Sequence, residues 1–303
     1  MEKITHREIY ITALIIAIAF IILRIDLLAI VSALLFITGV VFESMLSAKE
    51  KGVKHELKEV LIAICAALVL WFGASILLNT PSPFNAVVSC SMLNTLQRGD
   101  VVVLVGGQNI NTAEVNLTKK EFDEMVGSNE IHYVCGYCKQ EDNGYTTCAI
   151  NPYTGARAAG KILNYECSVC TQEAYGKERQ IPCVRGVWIK DTYVNVSKKE
   201  GDIIVYRPKT TDVFASTGDI IHRAIVKINV EDKRYYLIKG DNNNMFDVQM
   251  FDTTLRQTND IADEGQILGR SVLVLPFLGY IKLVAAGQIA NPENCYTLLK
   301  YEN

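Results

Sequence analysis

The sequence has no excess of positive charge. Its 30 lysines and arginines are outnumbered by 33 acidic residues, so the formal net charge is −3, and no basic stripe is interleaved with aromatic side chains. This lack argues against a nucleic-acid-binding surface, and we expect no nucleic-acid partner. Histidine is also scarce, with four in 303 residues. Few side chains are therefore suited to act as a general base near neutral pH.

Charge is absent from long stretches near the N-terminus. Residues 60–78 form an uncharged run of nineteen residues, about the length that a helix needs to cross a bilayer. Two shorter apolar runs, 9–23 and 27–42, are separated by Arg24-Ile-Asp26. They fit either one long interrupted segment or a helical hairpin with these charges at its tip, and we favour the hairpin. No small-residue cleavage site follows the first run, which argues against a cleaved secretory signal. About three transmembrane helices in contact with the lipid bilayer are predicted.

Lysine and arginine set the predicted orientation. Residues 43–59 carry four lysines, and Lys3 and Arg7 precede the first apolar run. Basic residues near the ends of spans tend to stay in the cytoplasm, so both segments are expected there. Three spans then put everything after residue 78 outside. The predicted location is the cell membrane, with several spans and an extracytoplasmic main domain.

Beyond the apolar runs, short β-branched segments are bounded by turn residues, which is typical of an antiparallel β domain. The segments are 101–105, 203–207, 220–228, 234–240 and 267–275. The predicted fold class is a mainly β, antiparallel domain preceded by transmembrane α-helices. In the apolar stretch 272–290, Pro276, Gly279 and Lys282 favour a strand and a surface segment at the membrane over a fourth span.

A cysteine-rich insert interrupts this domain. Residues 107–199 hold six of the nine cysteines, namely Cys135, Cys138, Cys148, Cys167, Cys170 and Cys183. Two CxxC knuckles could supply four thiolates to a structural zinc ion, and its ligands would be Cys135, Cys138, Cys167 and Cys170. In an oxidising compartment the six cysteines of the insert would instead form disulfides, in any of fifteen pairings, and both interpretations stay open. No other cofactor is expected.

The predicted division of the chain has four parts. Residues 1–80 are the membrane region, 81–106 and 200–290 form the β domain, 107–199 form the insert, and 291–303 are a C-terminal tail.

Two serines, Ser89 and Ser91, stand between the last apolar run and the first strand-like segment. A hydroxyl nucleophile needs a base within hydrogen-bond reach, a partner that orients this base, and donors for the oxyanion. Two of the four histidines lie in segments predicted to be cytoplasmic, and a third lies in the insert. The remaining one, His222, is the candidate base.

Six short motifs follow the last apolar run in a fixed order. They are Ser89-Cys-Ser91-Met92, Arg98-Gly99-Asp100, Gly201-Asp202-Ile-Ile-Val-Tyr206, Ile221-His222-Arg223, Lys239-Gly240-Asp241-Asn-Asn243 and Leu268-Gly269-Arg270. Each is weak alone, but their order resembles that of type I signal peptidases, specifically the archaeal and endoplasmic-reticulum branch. The resemblance covers roughly residues 80–106 and 200–285.

The resemblance implies a role for each matching residue. Ser91 corresponds to the nucleophile, and Ser89 to a hydroxyl that assists the oxyanion hole. His222 corresponds to the general base, where bacterial members have lysine. Asp241 and Asp247 have the spacing of the family's two important aspartates. We assign Asp247 as the partner that orients the histidine, and Asp241 as electrostatic support, although the reverse assignment stays open.

Two residues depart from the family pattern. Cys90 stands where the family usually has glycine, and Asn94 stands where it usually has proline. Cys90 is disfavoured as a nucleophile, since strand alternation would point it away from the two serines.

The resemblance implies a membrane-bound serine endopeptidase that cleaves signal peptides from exported preproteins through an acyl-enzyme. The implied partners are preprotein signal peptides, the bilayer and the secretion machinery. An alternative is a non-catalytic, membrane-tethered binding module built on a signal-peptidase scaffold, with the insert as its working part. A third interpretation keeps the protease but gives it another class of precursor.

Overall fold

The computed structural model describes residues 6–107, 109–140, 146–150, 160–252 and 257–301, and Lys3 lies outside them. The helices are α1 (His6–Leu23), α2 (Asp26–Lys51), α3 (Val53–Leu77), α4 (Lys119–Gly127) and α5 (Gly279–Ala285). The strands are β1 (Phe84–Ala86), β2 (Val101–Val105), β3 (Ala113–Leu117), β4 (Gly136–Gln140), β5 (Thr146–Ile150), β6 (Leu163–Ala174), β7 (Lys177–Ile189), β8 (Thr192–Asn195), β9 (Ile203–Tyr206), β10 (Ile220–Val230), β11 (Lys233–Lys239), β12 (Phe251–Asp252), β13 (Gln257–Thr258), β14 (Ala262–Asp263), β15 (Ile267–Leu275) and β16 (Thr297–Tyr301).

The chain forms two compact units. Unit 1 comprises Met1–Val88, Leu96–Val105 and Val272–Asn291, and unit 2 comprises Ser89–Thr95, Gly106–Ser271 and Pro292–Asn303. Apolar helices at the N-terminus and a mainly antiparallel β fold confirm the predicted fold class. The four-part division of the chain stays a prediction.

In unit 1, α1 and α2 form a helical hairpin. The chain reverses at Arg24, whose φ of 56° lies in the left-handed region. The two helices are joined by a buried hydrogen bond, in which Ser32 Oγ donates to the carbonyl of Ala13 at 2.7 Å. At the other end of α2, Gly52 with φ 90° separates it from α3. The predicted cytoplasmic segment 43–59 is thus helical on both sides of this glycine.

Within the described part of the chain, α2 and α3 are long and apolar enough to cross a membrane. None of the residues of α3 is buried, and its exposed side chains include Val69, Leu70 and Ile76. The remaining candidate span forms α1, of 18 residues. The arrangement with three spans stays a prediction.

The stretch 272–290 contains the end of β15 and the seven-residue helix α5, which is too short to span a bilayer. Two buried residues of α5 pack on the helical hairpin in an apolar cluster that consists of Phe20, Ala29, Ala33, Tyr280 and Leu283. The Tyr280 hydroxyl donates to Asp26 Oδ1 at 2.7 Å, and Arg24 Nη1 donates to Gln97 Oε1 at 3.1 Å. The charged tip of the hairpin therefore lies beside segments that follow α3 in sequence.

Unit 2 contains the strands around the candidate site. β10 lies between β9 and β11, antiparallel to both, and β14 pairs with β11. Ile267–Arg270 of β15 pairs antiparallel with β9. One pairing differs from the prediction, because β3 at the start of the insert lies parallel to β10, with Val226 opposite Ala113.

Strands β6, β7 and β8 of the insert form a second sheet with β16 from the C-terminal tail, in the order β16, β6, β7, β8. Its long strands β6 and β7 form an antiparallel hairpin. Buried residues of this hairpin, such as Tyr165 and Val187, belong to the same apolar cluster as Val226 and Leu237 of the first sheet. The insert therefore shares a hydrophobic core with β10, the strand that carries His222, and with β11.

The cysteines resolve the choice between zinc and disulfides for three of the four candidate ligands. Cys135 is bonded to Cys167, and Cys170 to Cys183. Zinc is bound by thiolates, and sulfur atoms joined in disulfides are not thiolates, so these three cannot form the predicted zinc site. The fourth candidate, Cys138, pairs in register with Cys148 across β4 and β5, and its side chain lies outside the described residues.

Candidate active site

Ser91 lies in an irregular segment of unit 2 rather than in a strand. Residues 89–95 form bends and turns, in which Leu93 N donates to the carbonyl of Cys90 at 3.2 Å. Asn94 has φ 72°, a left-handed conformation that asparagine tolerates and that the proline ring excludes. The departure from the family at position 94 thus fits the backbone of this chain.

His222 is held by the middle of the sheet. It lies on β10 opposite Ile204 of β9, and only 4% of it is exposed. A β-bulge follows on β10 between Ala224 and Val226. Bulges next to active sites re-aim side chains, and this one lies two residues beyond the histidine.

A continuous chain of hydrogen bonds joins Ser91, His222 and Asp247. The Oγ of Ser91 lies 2.8 Å from His222 Nε2, and His222 Nδ1 lies 2.7 Å from Asp247 Oδ2. When Nδ1 donates its proton to the carboxylate, Nε2 is left as the acceptor for the serine hydroxyl. The arrangement can therefore remove a proton from Ser91.

Asp247 opens a 3₁₀ turn, Asp247–Gln249, and is buried. Its Oδ2 also accepts a hydrogen bond from the Tyr206 hydroxyl at 2.9 Å. Its backbone carbonyl accepts one from the amide of Asn259 at 2.7 Å. Among the described residues, Oδ1 of Asp247 is buried without a hydrogen-bond partner. Tyrosine and asparagine thus fix the aspartate without neutralising its charge.

The carboxylate of Asp241 is hydrogen-bonded to Arg223 rather than to His222. Its two carboxylate oxygens accept hydrogen bonds from Arg223 Nε at 2.8 Å and Nη2 at 2.7 Å, and the Thr95 hydroxyl donates to Oδ2. Burial raises the pKa of this carboxyl, but the hydrogen bonds from Arg223 and Thr95 outweigh burial, and the pKa lies below its ordinary value. Asp241 therefore forms a buried ion pair beside the site.

Ser89 lies next to Ser91, and the Oγ atoms of the two serines are 3.3 Å apart. A hydroxyl here can donate to an oxyanion together with a backbone N–H, the role that the resemblance implies.

Cys90 is bonded to Cys295, so it has no free thiol for nucleophilic attack. Within the described part of the chain, no group of three or more potential ligands could hold a metal ion.

One buried amine lies at the end of β11. Lys239 Nζ donates to the carbonyl of Gly240 at 2.9 Å, and it lies 5.6 Å from the centre of the Tyr301 ring. Burial lowers the pKa of this amine to about 7. The hydroxyl of Ser91, however, is hydrogen-bonded to His222 rather than to this lysine.

Sequence reasoning did not assign roles to Tyr206, Thr95 or Arg223. Tyr206 and Arg223 stand inside the quoted motifs, so a role for each of them could have been suspected.

The pairing of Cys90 with Cys295 could also have been predicted from the sequence. Outside the insert only three cysteines exist, and Cys65 lies in an apolar helix, which leaves the other two for each other.

Comparison with known proteins identifies relatives of part of the chain. The signal peptidase complex catalytic subunit of Metarhizium acridum is 33% identical over 84 residues, which are 28% of this chain and 44% of that protein. The corresponding subunit of Candida dubliniensis is 28% identical over 103 residues, 34% of this chain and 55% of that protein. An uncharacterized protein of Methanocaldococcus jannaschii is 33% identical over 67 residues, which are 22% of this chain and 30% of that protein. No family model matches the chain.

The chain spans about half the length of the curated catalytic subunits it matches. These relatives come from the branch that the ordered motifs indicate. The resemblance of this chain to signal peptidases of the endoplasmic-reticulum and archaeal type is therefore confirmed.

Proposed function

We propose that this protein is a membrane-bound serine endopeptidase that removes N-terminal signal peptides from exported preproteins. The observation that carries the proposal is the hydrogen-bonded chain from Ser91 through His222 to Asp247, at 2.8 and 2.7 Å. Its three members are separated by 131 and 25 positions in sequence, so the fold brings them together. A nucleophile, a base and an orienting carboxylate in this order have the geometry of a serine hydrolase.

The proposed reaction is acyl transfer. His222 Nε2 takes the proton of Ser91 as its Oγ attacks the scissile carbonyl, and Asp247 stabilises the imidazolium that forms. The backbone N–H of Ser91 and the Ser89 hydroxyl stabilise the oxyanion. The imidazolium then protonates the leaving amine, which departs and leaves the acyl-enzyme. A water molecule, deprotonated by His222, hydrolyses this ester and restores Ser91.

The similarity to signal peptidase catalytic subunits supports the substrate class. We infer a preprotein whose signal peptide ends in small residues. The unburied apolar surface of α3 and the length of α2 support anchoring in a bilayer by several spans. The three disulfides among the described residues support an extracytoplasmic location of the catalytic residues, because disulfides persist in oxidising compartments. Partners in the secretion machinery are part of this proposal.

The test is cleavage of a preprotein with alanine at the edge of its cleavage site, by detergent-solubilised full-length protein. Ser91→Ala should lower kcat by on the order of 10⁴- to 10⁶-fold, since it removes the nucleophile. Ser128→Ala is the matched control, because that hydroxyl lies at the end of α4 and donates to Met125 O. Full activity of Ser91→Ala would refute the serine mechanism.

The alternative, a non-catalytic binding module, makes a different prediction in the same assay. A folded wild-type protein that binds preproteins but cleaves none of them would favour that alternative. Cleavage of other precursors in preference to signal-peptide-bearing ones would keep the chemistry and change the substrate class.

A further inference from the structure

The loop that carries the nucleophile has few bonds of its own. Two turn hydrogen bonds, Leu93 N to Cys90 O at 3.2 Å and Thr95 N to Met92 O at 3.0 Å, are the backbone bonds within residues 89–95. Two turn hydrogen bonds alone cannot hold the Ser91 Oγ at 2.8 Å from His222 Nε2. Other segments must therefore fix the backbone of Ser91. The contacts that other segments make with Cys90 and Ser91 therefore decide where this Oγ lies.

Asn242 binds the loop on one side. Its backbone N–H donates to Ser91 O at 2.7 Å, and its side-chain amide donates to Cys90 O at 3.1 Å. Gly240 lets the chain come this close, because a Cβ there would lie 2.8 Å from Ser91 O. Two consecutive carbonyls of the loop are thus bound by one buried asparagine.

The same asparagine reaches the C-terminal strand. Its Nδ2 also donates to Thr297 O at 2.8 Å, and its Oδ1 accepts from Leu299 N at 2.7 Å. Strand β16, to which these two residues belong, is itself anchored by pairing with β6 of the insert. The Asn242 side chain therefore connects the nucleophile loop to the second sheet of unit 2.

A covalent bond makes the same connection. Cys90, the residue between the two serines, is bonded to Cys295, which lies in the turn just before β16. The cross-link joins positions 205 residues apart and is almost completely buried at Cys90. The cysteine that departs from the family's glycine thus has a structural partner in this chain.

We propose that the Cys90–Cys295 disulfide and Asn242 are positioning elements that hold Ser91 in line with His222, so that the C-terminal segment is part of the catalytic apparatus. This inference rests on the proposed function. It assigns the disulfide and the asparagine an effect on the chemical step rather than on substrate binding. Loss of either should lower kcat and leave KM nearly unchanged, because misplacement of about 1 Å costs on the order of 100-fold in rate.

The experiment compares two matched pairs of variants of the full-length protein. Cys90→Ser with Cys295→Ser removes the cross-link at the loop, and Cys135→Ser with Cys167→Ser removes one in the insert. Asn242→Asp removes the two side-chain donors, while Asn244→Asp alters a neighbouring amide that donates to Pro182 O. We expect kcat to fall roughly 10- to 100-fold in the first member of each pair and KM to stay within about threefold. The control member should keep its kcat.

Hydrogen exchange gives a readout that does not depend on activity. The Asn242 N–H that donates to Ser91 O should exchange faster in the variant without the Cys90–Cys295 bond than in the wild type. The positioning role would be overturned, and the proposed function would stand, by the following set of results. The wild type is active and Ser91→Ala is inactive, kcat is unchanged both without the Cys90–Cys295 bond and in Asn242→Asp, and the Asn242 N–H exchanges at the wild-type rate without the bond. A folded wild type without any cleavage activity would overturn both.

Discussion

Two buried aspartates lie six residues apart in unit 2, and their surroundings differ in one decisive respect. Both are about 5% exposed. Asp241 faces a permanent cation, because Arg223 binds both of its oxygens. Asp247 faces groups that can remain neutral, the imidazole of His222 and the hydroxyl of Tyr206. The charge of Asp241 is already compensated, whereas that of Asp247 is compensated when His222 takes up a proton.

This difference separates a structural carboxylate from one suited to catalysis. A buried charge next to a fixed cation stabilises the fold only as part of the pair. A buried charge next to a histidine stabilises the imidazolium, which in the proposed reaction exists between attack by Ser91 and departure of the amine. Loss of the first carboxylate should therefore act mainly on folding, and loss of the second mainly on rate.

The largest expected effect is on the rate, from Asp247→Asn. The amide leaves the shape of the site nearly unchanged but no longer holds the imidazole in the tautomer with a proton on Nδ1. We expect kcat to fall by on the order of 10⁴-fold. Preprotein cleavage measures this, and thermal melting should show a smaller loss of stability than in Asp241→Asn. A rate within tenfold of wild type would remove the distinction between the two aspartates.

The next effect is on stability, from Asp241→Asn. This change leaves the buried guanidinium of Arg223 without its counter-charge, and we expect unfolding to become easier by about 3–5 kcal/mol. Denaturant unfolding of the solubilised protein measures it. Replacing both partners, with Asp241→Asn and Arg223→Met together, should recover part of the loss, since no buried charge is then left unpaired. A double variant less stable than the single one would contradict this explanation.

The low pKa of Asp241 predicts an acid-dependent loss of stability. Its carboxyl has a lower pKa in the folded protein than in the unfolded chain, so it stabilises the fold above the unfolded pKa. That contribution disappears as the pH falls from about 5 through the folded pKa, because the folded state must then bind the proton. Melting temperatures between pH 7 and pH 3 should fall more steeply for wild type than for Asp241→Asn. Parallel curves would show that this ion pair contributes nothing to acid sensitivity.

The smallest effect is expected from Tyr206→Phe. The change removes one of the two hydrogen bonds to Asp247 Oδ2 and leaves the ring in place. One such bond contributes about 0.5–1.5 kcal/mol, which corresponds to a roughly 2- to 10-fold loss in kcat. Tyr165→Phe is the control, because it also removes a buried hydroxyl, one that donates to Ile131 O at 2.8 Å. Equal kcat values for the two variants would exclude a role for Tyr206 in orienting the aspartate.

Much of the sheet could be predicted from local pattern. The β-branched runs at 101–105 and 267–275 form β2 and β15 with the predicted bounds, because turn residues limit each run and its side chains suit a pleated surface. β3 could not be predicted in this way. Its sequence AEVNL is short, and its parallel partner β10 lies more than a hundred residues further on, so the pairing depends on the shared core.

The candidate site, like the sheet, could be predicted from the sequence only in part. The resemblance to signal peptidases named Ser91, His222, Asp241 and Asp247, but residue spacing alone could not decide which carboxylate contacts the histidine. That choice follows from the 3₁₀ turn at Asp247 and from Arg223, which binds the other aspartate. Cys90 was disfavoured as a nucleophile for a reason that is wrong. It relied on strand alternation, whereas residues 89–95 are turns, and a distant cysteine, Cys295, accounts for its burial.

The central claim is that Ser91 and His222 act as one proton-transfer unit, and a double-mutant cycle on preprotein cleavage tests it most directly. Ser91→Ala, His222→Ala and the variant with both changes are compared by kcat, with melting curves to establish that each is folded. If the two residues form one unit, the double variant loses about as much as either single one, on the order of 10⁴- to 10⁶-fold. Single losses that multiply in the double variant, or cleavage at the wild-type rate by His222→Ala, would contradict the account.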